Sequence, residues 1–197
     1  SLLSSPASLD PATTTDGHSL MVETQLFSML VESKGGTSNE IKPDIAESWE
    51  ISEDGLTYTF KLRDDVYFHN GKLLTADDVV YTFNRVMTEP YTSYYAAPIK
   101  SVEATDEHTF VAHFNNPFAD FLTLVGGIYF GICCEEAITA GSDFMYKPVG
   151  TGPYKLEGGY IPGQAFKFVY NDQYYGAEPD IKEINFKIQP DTNTAVI

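Results

Sequence analysis

Trp49-Glu50-Ile51-Ser52-Glu53-Asp54-Gly55-Leu56-Thr57-Tyr58-Thr59-Phe60-Lys61-Leu62-Arg63 is the stretch whose reading decides the fold. Trp49 and Ile51 alternate with polar residues, and Leu56, Tyr58, Phe60 and Leu62 alternate with Thr57, Thr59, Lys61 and Arg63. Successive strand side chains point to opposite faces, so the pattern predicts a hairpin with one buried and one wet face, turning at Glu53-Asp54-Gly55. A helix follows. Thr75-Ala76-Asp77-Asp78 has the form of a capping box with Asp in place of Glu, and Val79, Val80, Phe83, Val86 and Met87 recur at helical spacing behind it. Leu56, Tyr58, Phe60 and Leu62 should therefore share a core with Val79, Phe83 and Val86, while Thr57 and Thr59 face outward.

Outward from this unit, Val102 and Ala104 are placed to pair with Phe110, Ala112 and Phe114 across Thr105-Asp106-Glu107, a second hairpin over Ser101–Phe114. Asn115-Asn116-Pro117 ends it, and a short helix should carry Phe118, Phe121 and Leu122. Toward the start, Ser8-Leu9-Asp10-Pro11 reads as a turn and Thr13-Thr14-Thr15-Asp16-Gly17 as a polar loop. Met21, Val22, Gln25, Leu26, Met29 and Leu30 then recur as in a helix, with Asp16 or Ser19 as N-cap, until Lys34-Gly35-Gly36-Thr37-Ser38-Asn39 breaks the pattern. The last third is strand-like: Gly150-Thr151-Gly152-Pro153 feeds Tyr154–Leu156, and Phe166, Phe168, Tyr170 and Ile184, Phe186, Ile188 each alternate. Asp191–Ile197 reads as the start of a helix with nothing after it, and the chain is expected to be part of a longer protein.

With 197 residues the prior is one domain, or two, at about 150 residues each. Hydrophobic residues make up 43% and charged residues 20%, which is too apolar for disorder. Twelve basic against 28 acidic residues give a formal charge of −16, which disfavours phosphate backbones and anionic lipid as partners. No apolar run approaches the roughly 20 residues of a membrane helix. No charged and apolar leader opens the chain, so an export signal would lie outside these residues. Cys133 and Cys134 are adjacent, a pairing that strains a disulfide, and His18, His69, His108 and His113 have no ligand spacing with them; two small buried side chains are expected, and no metal site. Asp77-Asp78 and Asp64-Asp65 tempt as acid/base pairs, but acids in a first helical turn complement its dipole and acids in a turn are solvated. No phosphate loop, nucleophile elbow or zinc-protease motif is present, so catalysis has no positive support.

The run Pro43-Asp44-Ile45-Ala46-Glu47-Ser48 leading into Trp49–Arg63 resembles one family closely, as does Val66-Tyr67-Phe68-His69-Asn70-Gly71 followed by Leu74–Phe83. Ser8–Pro11, Val149-Gly150-Thr151-Gly152-Pro153-Tyr154 and Asn171-Asp172-Gln173-Tyr174-Tyr175-Gly176 fall in the family's order, the last with Tyr175 where the family normally carries Trp. The family is the extracellular solute-binding proteins of ABC importers, of the dipeptide- and oligopeptide-binding type (solute-binding family 5). The resemblance implies a mixed α/β, type II periplasmic-binding-protein fold of two lobes closing on a ligand. Residues 1–36 would be the first pass of lobe one, 37–148 an inserted subdomain, and 149–197 the return to lobe one, with the second lobe absent. It further implies capture of small peptides for a membrane permease, outside the cytoplasm, with a lipid anchor possible in the full-length protein and without catalytic residues, cofactor or metal. Family positions near ligand map onto Thr14, Thr15, Asp16, Gly17 and His18, and onto Tyr94 and Tyr95. For the loop the alternative is a plain helix cap, and for the tyrosines it is subdomain packing. Relatives also handle nickel chelates, haem and oligosaccharides. From other classes, a carboxylate-pair glycosidase and a lone-lobe interaction module are the rivals.

Overall fold

In a computed structural model, residues 2–33, 40–141 and 143–189 are described, so the break at Lys34–Asn39 and the helix start at Asp191–Ile197 lie outside the described residues. In chain order the elements are α1 (Gly17–Glu23), β1 (Val31–Ser33), β2 (Ile41–Pro43), β3 (Ala46–Ile51), β4 (Thr57–Leu62), α2 (Ala76–Thr88), α3 (Ser93–Ala96), β5 (Ile99–Asp106), β6 (Thr109–Phe114), α4 (Phe121–Val125), α5 (Glu135–Thr139), β7 (Tyr154–Glu157), β8 (Phe166–Tyr170) and β9 (Glu183–Phe186). The two predicted hairpins join into one antiparallel sheet in the order β3-β4-β6-β5. Trp49 faces Phe60, Tyr58 faces Ala112, Phe60 faces Phe110 and Val102 faces Ala112. Tyr58, Phe60, Leu62, Phe110, Ala112 and Phe114 are buried with Val79, Phe83 and Val86 of α2, while Thr57 and Thr59 are only half-buried on the opposite face. Leu56 precedes β4 and is half-buried at its mouth. The turn closes because Gly55 takes a φ of 68°, in the left-handed region that glycine adopts without strain. Phe83 lies with its ring centroid 4.7 Å from Phe110 and 5.0 Å from Phe130, and each such fully buried ring contributes on the order of 2–3 kcal/mol from area alone. Phe121 and Leu122 lie in α4 as expected, whereas Phe118 precedes it.

The cap of α2 does more than its sequence suggests. Asp77 is exposed, but Asp78 is buried, and its carboxylate accepts from the Thr75 backbone N–H at 3.1 Å and from the Lys72 ammonium at 2.6 Å. It also lies 3.4 Å from the Glu135 N–H at the start of α5. Asp78 is therefore a buried tie between a turn and two helices, in addition to complementing the α2 dipole from its first turn as the sequence suggests.

The second core surrounds the antiparallel sheet β7-β8-β9. Tyr154, Phe166 and Phe168 pack with Leu2, Leu9, Val22, Leu26, Phe27 and Phe144. Here α1 is shorter than the periodicity predicts. It ends at Glu23, and the carbonyls beyond it are taken by other segments: Gln25 by the Tyr154 N–H, Leu26 by Gly152, Ser28 by Ile132, Met29 by Ile45 and Leu30 by Ala46. Leu26 and Leu30 are buried all the same, but in different cores, because the chain crosses from one to the other between them. Gly150 and Gly152 make the crossing possible. A Cβ at Gly150 would sit 2.1 Å from the Leu26 carbonyl oxygen, and one at Gly152 2.6 Å from the Leu26 carbonyl carbon.

Two polar contacts tie the cores together, and a third anchors the loop after β8 on the hairpin core. Arg85 of α2 grips Asp10 through both terminal guanidinium nitrogens, at 2.8 and 3.1 Å. The His69 ring donates from Nε2 to the Gly152 carbonyl at 3.2 Å and accepts at Nδ1 from the Gly150 N–H at 3.3 Å. Tyr175 donates its hydroxyl to Asp44, with the Arg63 guanidinium 5.1 Å from its ring centroid. Cys133 and Cys134 are free and buried, one against each core, as their small apolar character suggests.

Candidate functional site

Asp16 sets the loop that precedes α1. Its backbone is extended (φ −78°, ψ 141°), and its carboxylate accepts from the Ser19 N–H at 3.0 Å, the Ser19 hydroxyl and the Thr14 hydroxyl at 2.8 Å. Burial raises the Asp16 carboxyl, but the bonds from Ser19 and Thr14 outweigh it and hold the group below the usual carboxylate range. Asp16 is thus an N-cap, as one of the two sequence readings has it. Thr14 is buried, His18 is half-buried with Nδ1 3.0 Å from the Ser4 hydroxyl, and Thr15 and Gly17 are exposed. The surface this loop offers a ligand is its backbone and the two exposed residues, with the Asp16 side chain already engaged.

Tyr94 and Tyr95 sit on α3, a single turn held down by the Thr92 hydroxyl, which donates to the Ala12 carbonyl at 3.2 Å just ahead of that loop. Tyr94 is 81% exposed. Tyr95 is half-buried and stacks on Tyr129, with centroids 4.4 Å apart and planes 18° from parallel. A hydrogen bond with Tyr95, with burial added, pushes the Tyr129 phenol up to about 12. An apolar cavity of about 450 Å³ opens beside this pair, lined by Tyr94, Tyr95, Ala97, Pro98, Phe118 and Leu124. Sequence reasoning missed Tyr129. Its signal was the glycine-flanked run Gly126-Gly127-Ile128-Tyr129-Phe130-Gly131, where small neighbours let an aromatic approach another segment. Among the described residues no hydrogen bond or ring contact joins Thr14–His18 to Tyr94 or Tyr95; what they share is attachment to the same first stretch of chain.

Glu23, at the end of α1, had no sequence signal. It is fully buried, and neither carboxylate oxygen has a hydrogen-bond partner. Burial, with the negative charges of Asp10 and Asp16 added, pushes its carboxyl up to about 9, so it is protonated at neutral pH. An acid sealed from solvent in this way cannot serve a substrate as proton donor, and no cluster of three or more His, Cys, Asp or Glu among the described residues can hold a metal ion. No helix among them is long and apolar enough to cross a membrane.

Residues 40–197 match the family described as bacterial extracellular solute-binding proteins, family 5 Middle. The chain belongs to that family. The heme-binding protein A of Haemophilus influenzae is 35% identical over 96% of this chain and 39% of its own length. The dipeptide-binding protein of Escherichia coli is 32% identical over 96% of this chain and 40% of its own length. Among solved structures, the periplasmic binding protein DppA of Helicobacter pylori, in complex with the peptide STSA, superposes with a TM-score of 0.90 at 30% identity, over 98% of this chain and 42% of that one. The chain spans about two fifths of the length of the relatives it matches, and its mixed helix-and-sheet architecture is that of part of a periplasmic-binding-protein lobe.

Proposed function

We propose that this chain is the N-terminal part of the capture component of an ABC importer, and that the whole protein binds small peptides outside the cytoplasm and hands them to a membrane permease. The observation that carries this reading is the likeness, at a TM-score of 0.90, to a binding protein solved with a tetrapeptide. The two cores support, in outline, a division into lobe one (residues 1–36 and 149–197) and an inserted subdomain (37–148), with Leu30 and Val31 reaching into the hairpin core and Cys133 and Phe144 into the second. The glycine crossing at Gly150–Gly152 and the contacts of Arg85, His69 and Tyr175 fix one against the other. In this reading Thr14, Thr15, Asp16, Gly17 and His18 present backbone to the ligand, and Tyr94 and Tyr95 an aromatic wall. A site without an activated nucleophile or an accessible acid of raised pKa suits capture rather than catalysis.

A second reading, haem, is favoured by the name of the relative at 35% identity. Calorimetry of the full-length protein against a di- to pentapeptide mixture, haem and a nickel chelate separates these readings. Saturable heat with peptides alone supports the first, and binding of haem alone replaces it. The 197-residue chain by itself should bind peptide far more weakly. One wall would leave the ligand half in water while most of its immobilisation cost, about 4 kcal/mol or more, remains.

A further inference from the structure

We propose that the cleft where the two cores meet beneath His69 is a binding site for a small oxyanion, a carboxylate or phosphoryl group, held by Lys147 and Lys155. The cavity measures about 290 Å³. Its walls come from both cores: His69 and Asn70 from the turn between β4 and α2, and Lys147, Val149, Lys155 and Gly159 from the segments around β7. No carboxylate lines it, although acids outnumber bases 28 to 12 in the chain. Lys42, Arg63, Lys72, Arg85, Lys167 and Lys182 each lie within ion-pair distance of an Asp or Glu; Lys147, exposed at the edge of the cleft, has no such partner among the described residues, as Lys61, Lys100 and Lys187 have none, but it alone of these four lines the cavity. Lys155 meets Asp172 at 3.0 Å, but that carboxylate is 79% exposed and does not line the cavity, and solvent screens the pair.

The neutral groups of the cleft are suited to an anion as well. The His69 ring has both nitrogens engaged by Gly150 and Gly152, so it walls the cavity without contributing a charge. Burial, with a smaller contribution from the Lys155 charge, pushes that imidazole down to about 4, so the ring is neutral at neutral pH. The Asn70 side-chain nitrogen has only the Cys134 sulfur, at 3.6 Å, as acceptor among the described residues, and keeps a proton to donate. The Lys147 stem runs along Gly159, where a Cβ would lie in ordinary contact, 3.4 Å from Lys147 Cγ. An anion seated here touches both cores and favours their docked arrangement by linkage. The site is independent of the peptide reading.

The test is thermal unfolding of the full-length protein in phosphate, in acetate and in chloride at matched ionic strength, with Lys147→Met and, as control, Lys100→Met on the exposed face of β5. Phosphate or acetate should raise the unfolding temperature above chloride with a millimolar dissociation constant, the tighter of the two naming the group. Lys147→Met should weaken that binding roughly tenfold, the worth of one charge-assisted hydrogen bond, and Lys100→Met should leave it unchanged. If Lys147→Met does not fold, Lys147→Gln keeps the stem and serves the same comparison. The proposal is overturned if neither anion outdoes chloride, or if Lys100→Met weakens binding as much as the Lys147 variant.

Discussion

Each strand of the first sheet finds a partner close by in sequence, β3 turning into β4 and β5 into β6, with α2 between the hairpins in the chain and packed on their shared face. In the second core, Leu2, Leu9 and Val22 wait for Phe166 and Phe168, and the Tyr160 hydroxyl reaches the Pro6 carbonyl across 154 residues. The two cores use the same kinds of side chain and differ in sequence distance. Loop closure must be met before a distant contact rewards it, so the hairpin core is the part that can form from local contacts while the other depends on the chain's ends meeting. Trp49, the only tryptophan, packs against the hairpin core and reports on it alone.

The largest effect that tests this contrast is a cavity in either core. Phe83→Ala and Phe168→Ala each remove a fully buried ring and should cost about 3–5 kcal/mol. In urea, Phe83→Ala should move the Trp49 fluorescence transition, whereas Phe168→Ala should move the far-UV transition first and leave Trp49 behind. Coincident shifts for both variants would mean one cooperative unit and would end the distinction.

Next in size is the tie between the cores. Arg85→Met leaves the Asp10 carboxylate, 7% exposed, without its partner and should cost about 3 kcal/mol by denaturant midpoint. Adding Asp10→Asn should return most of that loss; no recovery would show that Arg85 acts through packing alone. Gly150→Ala, which drives a methyl against the Leu26 carbonyl, should cost about 2 kcal/mol and be felt by both cores. Gly71→Ala meets nothing within 4 Å and strains only a φ of 84°, so it should cost nearer 1 kcal/mol and stay within the hairpin core.

A pH dependence at His69 tests the tie from the other side. Its folded pKa, about 4, lies below the ordinary 6.5, so the neutral ring is favoured by folding. That stability is fully present above pH 6.5 and is lost as pH falls through about 4. The stability difference between the wild type and His69→Gln, from urea midpoints at pH 7, 5.5 and 4, should shrink steadily. A constant difference would mean that His69 contributes by shape and not by its acceptor nitrogen.

Sequence made the hairpins and α2 legible because a period of two, a turn glycine and a cap are local signals that the tertiary structure left alone. The length of α1 was not legible. The pattern through Leu30 is helical, but Gln25–Leu30 give their carbonyls to segments more than a hundred residues away as well as to close neighbours, and no local rule announces that. The Asp16 cap could be read from its own turn, whereas the Tyr95–Tyr129 stack joins two segments that only the fold brings together. Nothing in sequence separates Glu23 from the many acids that face water, whereas the capping box at Thr75–Asp78 singles out Asp78 as the acid that turns back onto the backbone.

Glu23 also has a consequence for the proton balance of folding. Its carboxyl gives up its proton near pH 4.5 in the open chain and near 9 once buried, so refolding at neutral pH draws a proton from the buffer. The native molecule is then one unit less negative than the formal −16. Calorimetric enthalpies of unfolding measured in phosphate and in Tris should differ by about the difference between the two buffers' ionisation heats, and most of that difference should be lost in Glu23→Gln.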